Sequence, residues 1–131
     1  MRISTMALAA LMLAASGGAQ ADTMSQEDKL AKALEGRTPG EPVDCIMQHD
    51  IRSSRIYDGI GVLYELNNGT LYLNRPKTGA SSLRWSDILV TDTHTNQLCS
   101  IDTVKLVDQG THMQSGFLGL DKFVPYPKPR K

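Results

Sequence analysis

Hydrophobic residues fall in short runs between residues 44 and 126, and turn-forming residues separate the runs. The clearest example is residues 61–66 (GVLYEL) followed by residues 70–74 (TLYLN), with Asn67-Asn68-Gly69 between them. Because asparagine and glycine tolerate the positive φ of a tight turn, this stretch predicts an antiparallel hairpin. Apolar side chains alternate along both runs, so we expect one face of each strand to be buried and the other to be partly in contact with water.

Further strands are predicted by the same pattern at residues 55–57, 88–91, 97–99, 103–107, 112–118 and 123–126. Trp85, the single tryptophan, lies between two of these runs, and we interpret it as an anchor in the core or at its rim. Many short strands separated by turns are typical of antiparallel β structure. The predicted fold class is therefore α+β: mostly antiparallel β, arranged as a curled sheet or small barrel, with a short N-terminal helix.

The helix is predicted just before the strands. Ser25 is a favourable N-cap, and Glu27 and Asp28 suit the positive end of the helix dipole. Leucine and alanine residues within 30–34 supply an apolar stripe, and Gly36 favours the end of the helix. A helix of about ten residues is too short to be stable alone, so we expect it to pack against the strands or to fray.

The first 21 residues have the pattern of a secretory signal peptide. Arg2 gives a positive start, residues 6–15 form an apolar segment, and Ala19-Gln20-Ala21 places small residues at the cleavage positions. Ten apolar residues span about 15 Å as a helix, which is half of a hydrocarbon core of about 30 Å. We therefore expect cleavage after Ala21, export to the periplasm or out of the cell, and no membrane span in the mature chain.

The chain has 131 residues, of which 40% are hydrophobic, and this is enough for one small domain. The predicted organisation is a signal peptide (1–21), a short helix and linker (22–43), a single β-rich domain (44–126) and a Pro-rich basic tail (127–131). Basic and acidic residues balance at 14 each. This balance excludes a general nucleic-acid binder, because neutralising phosphates takes a clustered cationic excess.

Cys45 and Cys99 are the only cysteines. A pair of thiols in an exported chain is usually found as a disulfide. The two positions show neither the spacing of a zinc site nor a base that would activate a catalytic thiol. We predict a disulfide that closes a loop of about 55 residues and stabilises the domain by about 4 kcal/mol.

No other residue set predicts a catalytic, cofactor or metal site. The three histidines lie in separate segments, no serine has a Gly-x-Ser-x-Gly context, and the chain has no Gly-rich phosphate loop. We therefore favour a non-enzymatic module that binds an unknown component of the cell envelope. Two alternatives stay open: a small periplasmic hydrolase or metal-dependent enzyme whose residues assemble only in three dimensions, and a structural or stress-related factor without a defined ligand.

Positive charge is concentrated in residues 51–86, which carry five basic and two acidic side chains. Arg52, Arg55 and Arg75 are the candidate anion-binding residues, because guanidinium groups bind carboxylate, phosphate and sulfate well. Arg52 and Arg55 are three positions apart, so they share a strand face only if a bulge or bend lies between Ser53 and Ser54. The alternative is a solvated network in which these arginines, together with Arg84, pair with Asp50, Asp58 and Asp87.

Five short motifs also follow one another in a recognisable order. They are Asp44-Cys45-Ile46, residues 52–58 (RSSRIYD), residues 71–75 (LYLNR), Gln97-Leu98-Cys99 with Asp102, and residues 123–126 (FVPY). In order and spacing they resemble a family of short exported bacterial proteins catalogued only as a domain of unknown function, over about residues 41–126. The family has no established activity to carry over.

The resemblance has two structural implications. Members often carry four cysteines, and Ala80 and Leu118 stand at the places of the other two. The loss of one disulfide would leave Cys45 and Cys99 as the surviving pair. Ile101 replaces a glycine of the family, which disfavours a tight turn at that point.

Overall fold

The computed structural model describes residues 24–130, so the predicted signal peptide lies outside the described residues. In this part of the chain, one helix, α1 (Gln26–Ala33), precedes nine strands. The strands are β1 (Cys45–Met47), β2 (Ile51–Tyr57), β3 (Gly61–Leu66), β4 (Leu71–Asn74), β5 (Asp87–Thr91), β6 (Gln97–Cys99), β7 (Thr103–Asp108), β8 (Gln114–Gly119) and β9 (Phe123–Tyr126). No helix within residues 24–130 is long and apolar enough to cross a membrane.

The strands form three antiparallel sheets with the orders β2-β3-β4-β9, β5-β7-β8 and β1-β6. The mostly antiparallel β class is thus confirmed. The chain does not form the expected curled single sheet, and the described sheets do not close into a barrel. Two isolated bridges, Val43 with Phe123 and Thr78 with Gly119, connect strands to segments outside them, and neither is part of a ladder.

The predicted hairpin is formed by β3 and β4. Gly69 in its turn has a φ of 86°, and its N–H donates to the Leu66 carbonyl at 2.9 Å. The Asn68 side-chain oxygen accepts from the Thr70 N–H at 3.0 Å. The turn therefore uses both properties that the sequence offered: the positive φ of glycine and the local hydrogen bonding of asparagine.

Strand β3 is buried on both faces, so the expectation of a partly wet face is wrong for this strand. Val62 and Tyr64 point into the main core, whereas Leu63 on the opposite face packs in a second cluster with Leu30 of α1. Leu30 is 1% exposed. The short helix therefore covers the face that alternation alone would leave to water.

The main core lies between the four-stranded and three-stranded sheets. Its fully buried centre includes Phe123, whose ring meets that of Tyr64 edge to face at a centroid distance of 5.9 Å. Burial raises the pKa of Tyr64 well above its usual value. The other buried members are Ile46, Val62, Leu83, Leu98, Val104, Leu106, Leu118 and Leu120.

Cys45 and Cys99 form the predicted disulfide, at directly paired positions of β1 and β6. The next pair in this ladder, Ile46 and Leu98, is buried in the main core. Strand β1 leads through a short 3-10 helix into β2, and β6 leads into β7. The disulfide therefore joins the segment that enters the four-stranded sheet to the segment that enters the three-stranded sheet.

A tight turn does form beside the disulfide, although Ile101 replaces the family's glycine. The Asp102 N–H donates to the Cys99 carbonyl at 3.0 Å, and the Asp102 carboxylate accepts from the Cys99 N–H at 2.7 Å. Ile101 is not among the residues with positive φ. Because this turn needs no left-handed residue, isoleucine is accommodated with its side chain in solvent.

Candidate functional site

The structure places Arg52 at a β-bulge in strand β2. Ile51 faces Leu66 and Ser53 faces Glu65 in the β2-β3 ladder, so Arg52 has no opposite residue. For Arg52 and Arg55 to share a strand face, a bulge or bend was expected between Ser53 and Ser54. The observed bulge lies earlier, at Arg52 itself. Arg52 is exposed and forms no ion pair with any residue in the described part of the chain.

Arg75 is engaged by a carboxylate from the helix. Its two terminal nitrogens donate to the two Glu27 oxygens at 2.8 and 3.2 Å. This hydrogen-bonded pair lowers the pKa of Glu27 and raises that of Arg75. The contact fastens the start of α1 to the end of β4, so the Arg75 guanidinium is already neutralised.

The carboxylates of the alternative network make other contacts. The Asp50 carboxylate lies 3.3 Å from Nε2 of the adjacent His49. The Asp58 carboxylate accepts a hydrogen bond from the backbone N–H of Trp85 at 2.7 Å. The Asp87 carboxylate accepts a hydrogen bond from the backbone N–H of Arg84 at 3.0 Å. The structure therefore brings none of these three carboxylates into an ion pair with Arg52, Arg55 or Arg75.

Arg55 and Arg37 both line a cleft of about 210 Å³ on the helix-bearing face of the four-stranded sheet. We call it the arginine cleft. The other lining residues are Ala33, Ser53, Leu63, Glu65 and Leu71. Strand alternation explains why Ser53 and Arg55 both face it, since they lie two positions apart on β2.

The arginine cleft carries a net positive charge. Its two guanidiniums outnumber its one carboxylate, Glu65, whose oxygen lies 3.3 Å from the Ser53 hydroxyl. Neither Arg37 nor Arg55 forms an ion pair with a residue in the range 24–130. The arrangement can thus supply guanidinium N–H donors and an excess of one positive charge to a small anion.

Arg37 is the site residue that the sequence analysis missed. Its Nη1 donates to the carbonyl oxygens of Gly69 and Tyr126, at 2.9 and 3.0 Å, and this holds the side chain over the sheet. Gly69 is 32 positions away in the chain, and Tyr126 is 89 positions away. The sequence shows only that Arg37 follows the helix closely. The packing of α1 on the sheet is what places Arg37 at the cleft that Arg55 also lines.

A second feature is the open edge of β2. The opposite edge of the same sheet is covered, because Val43 and Phe123 exchange backbone hydrogen bonds of 2.8 Å and the Gly40 N–H donates to the Pro125 carbonyl. No strand among the described residues pairs with the outer side of β2. A groove of about 410 Å³ runs along this outer side, and its opposite wall comes from β5.

Trp85 lies at this groove and is 76% exposed, so it is not a core residue. Its neighbours there include Ser54, Arg55 and Ile56 of β2. A second shallow pocket shares Arg55, Ile56 and Trp85 with the groove and adds Lys29 of α1. The two pockets together form one continuous surface, which we call the edge groove.

Metal-binding and acidic side chains add little to these two features. Within the described range, no three His, Cys, Asp or Glu side chains are grouped so that they could hold a metal ion. Among the acids of residues 24–130, the one besides Glu27 with a shifted pKa is Asp108, whose pKa is lowered by hydrogen bonds from Thr111 in the turn after β7. The arginine cleft and the edge groove are therefore the candidate sites.

Comparisons of this chain with protein-family models, with curated proteins and with solved structures found no match. The resemblance to an exported bacterial family stays a prediction.

Proposed function

We propose that this protein is an exported, non-enzymatic binding module that holds an anionic group of a cell-envelope component in the arginine cleft. The observation that carries the proposal is the pair of guanidiniums, Arg37 and Arg55, in one small cleft with an excess of positive charge. Guanidinium groups bind carboxylate, phosphate and sulfate through charge-assisted hydrogen bonds. A volume of about 210 Å³ suits one such group rather than a large ligand.

One of the two cationic donors of the cleft, Arg37, is fixed in advance. Arg37 is held by two carbonyl groups, and Arg55 projects from a strand whose neighbour β3 is buried on both faces. A site with fixed donors loses less conformational entropy when its ligand binds. Export is supported by the signal-like residues 1–21 and by the disulfide, which is typical of oxidising compartments.

The proposal is tested by titrating the protein with inorganic phosphate at low ionic strength and following backbone and arginine side-chain NMR signals. We expect saturable shifts confined to the arginine cleft. Arg55→Gln should weaken phosphate binding by about tenfold or more, because a charge-assisted hydrogen bond is lost. The binding should also weaken as salt is added, since the site is open to solvent.

Arg75→Gln is the matched control. It makes the same substitution near the same sheet face but removes a guanidinium that Glu27 already neutralises. We expect its phosphate affinity to stay within about twofold of the wild type. An equal loss in both variants would indicate diffuse attraction to surface charge, and it would contradict the proposal, as would shifts that never saturate.

A further inference from the structure

The hydrogen-bonding pattern of β2 shows which backbone groups face the edge groove. The hairpin from β2 to β3 closes at the Tyr57-Gly61 pair, with the Ile60 N–H donating to the Tyr57 carbonyl at 3.0 Å. In an antiparallel ladder, residues bond alternately to one neighbour and to the other side. Arg55 and Tyr57 therefore bond to β3, whereas Ser54 and Ile56 direct their N–H and C=O groups outward.

The covered edge of the same sheet follows the same alternation. Val124 and Leu73 are partners in the β4-β9 ladder, and the residues on either side of Val124 turn outward. Those two residues, Phe123 and Pro125, bond to Val43 and Gly40. An extended segment thus already completes one edge of this sheet, and β2 offers the equivalent groups at the other edge.

We propose that β2 binds an extended segment of a partner protein, in which acidic and apolar residues alternate, as a fifth strand of the sheet. Main-chain hydrogen bonds to Ser54 and Ile56 would hold such a segment. Its side chains would point alternately to the two faces of the sheet. On the helix-bearing face they meet the cations Arg55 and Lys29. On the other face they meet Ile56 and the apolar residues Ile88 and Leu89 of β5.

Charge determines the acidic character of the segment. Arg55 forms no ion pair within residues 24–130, and Lys29 beside it forms none either. The one carboxylate in the edge groove belongs to Asp87, which is 9% exposed and accepts hydrogen bonds from the Arg84 backbone N–H and the Ser115 hydroxyl. The accessible charge in the groove is therefore positive.

The same charge disfavours a second copy of this chain as the occupant. A two-fold antiparallel pairing that uses both outward residues sets Ser54 opposite Ile56 of the other copy. Arg55 then lies directly opposite its own equivalent. Like charges at directly opposite positions destabilise a strand pair, and charged residues on an edge strand oppose self-association.

This inference goes beyond the proposed function, because the arginine cleft and the edge groove share only Arg55. A small anion would occupy the helix side of Arg55, and a peptide would occupy the outer side of the strand. Ser54 lines the edge groove but not the arginine cleft. Substitution of Ser54 therefore separates the two sites.

The test uses the mature protein and an eight-residue peptide of alternating glutamate and valine. Trp85 is the only tryptophan, so its fluorescence reports binding at the edge groove. Ser54→Pro removes one outward N–H and leaves the hydrogen bonds between β2 and β3 in place. We expect the affinity for the peptide to fall at least about tenfold in this variant.

Ser54→Ala is the matched control, since it keeps the N–H and removes only the hydroxyl; its affinity should stay within about twofold of the wild type. A peptide of alternating lysine and valine should not bind, because the groove is positive. Pro125 already occupies an outward position of this sheet, so we expect Ser54→Pro to fold with a wild-type thermal transition. Backbone N-methylation of the glutamate peptide should also abolish binding, and this arm does not depend on a folded variant.

Unchanged peptide binding by Ser54→Pro, or by the N-methylated peptide, would overturn the fifth-strand proposal. Dimerisation that rises with concentration and disappears in Ser54→Pro would assign the edge to a second copy and would also overturn it.

Phosphate titration of Ser54→Pro keeps the two proposals apart. Phosphate binding without peptide binding in the wild type refutes only the peptide site, and the reverse result refutes only the arginine cleft.

Discussion

The two larger sheets differ in how many of their faces are covered. In the four-stranded sheet, one face packs on the main core and the other carries α1, so Leu63 of β3 is 5% exposed. In the three-stranded sheet, one face packs on the same core and the other lies open. Phe117 of β8 is 58% exposed, and Ile88 of β5 is 42% exposed.

The difference arises from an eight-residue helix rather than from the strands themselves. Strands of both sheets carry apolar residues on both faces, as Leu63 and Tyr64 do in β3 and as Phe117 and Leu118 do in β8. Burying one large apolar side chain stabilises a fold by about 1.5–3 kcal/mol. The four-stranded sheet gains this stabilisation from side chains on both of its faces. The three-stranded sheet gains it on one face and leaves an apolar surface in solvent.

Removing the disulfide should have the largest effect, because it links the segments that enter the two sheets. We expect Cys45→Ala combined with Cys99→Ala to lower the free energy of unfolding by about 4 kcal/mol, since the unfolded chain gains the freedom of a loop of about 55 residues. Denaturant titration followed by circular dichroism and Trp85 fluorescence measures this loss. Wild-type protein unfolded under reducing conditions is the control and should show the same midpoint.

Because both sheets share one core, the two probes should report a single transition in the double variant. If one probe reports unfolding well before the other, unfolding is not a single two-state transition and the two sheets do not unfold together.

Truncating one apolar side chain in each sheet tests the difference in burial directly. Leu63→Ala should lower the free energy of unfolding by about 3 kcal/mol, because it opens a cavity under α1. Phe117→Ala should change it by no more than about 0.5 kcal/mol, because the ring already lies in solvent. Urea titration of both variants checks the contrast, and equal losses would show that the outer face of the three-stranded sheet is covered in solution.

The smallest expected effect is a pH dependence with one acid in each region. The Arg75 hydrogen bonds lower the pKa of Glu27, and those from the Thr111 N–H and hydroxyl lower the pKa of Asp108. In both cases the unfolded chain binds a proton more readily than the native state does. Each carboxylate therefore stabilises the fold above its usual pKa of about 4, and this stabilisation is lost as the pH falls through the lowered native value.

In Glu27→Gln and in Asp108→Asn, the free energy of unfolding should fall less steeply as the pH decreases, but it should still fall. Denaturant midpoints measured from pH 6 to pH 2.5 give this slope for each variant. Glu27→Gln should also speed amide exchange in α1, because the contact with Arg75 fastens the helix to the sheet. If Glu27→Gln instead speeds amide exchange in the turn after β7, the effect of this substitution is not confined to α1.

Local patterns were sufficient where the structure is local. The segments of β3, β4 and β9, the turn at Asn68 and Gly69, and the N-cap at Ser25 were all predictable, because side-chain alternation and turn chemistry act within a few residues. The disulfide was predictable because only two cysteines exist. Strand β1 was not predicted, since its three residues acquire their structure by pairing with β6.

The sequence by itself determined most of the short strands, their turns, the helix start and the supply of arginines in residues 51–86. Only the tertiary structure decided that α1 covers β3, that Glu27 neutralises Arg75 over a separation of 48 residues, and that Arg37 joins Arg55. The physical reason is that a strand pattern specifies which side chains share a face but not what will pack on that face. Partners at long separation are selected by the burial of the whole chain, in which each contact depends on the others.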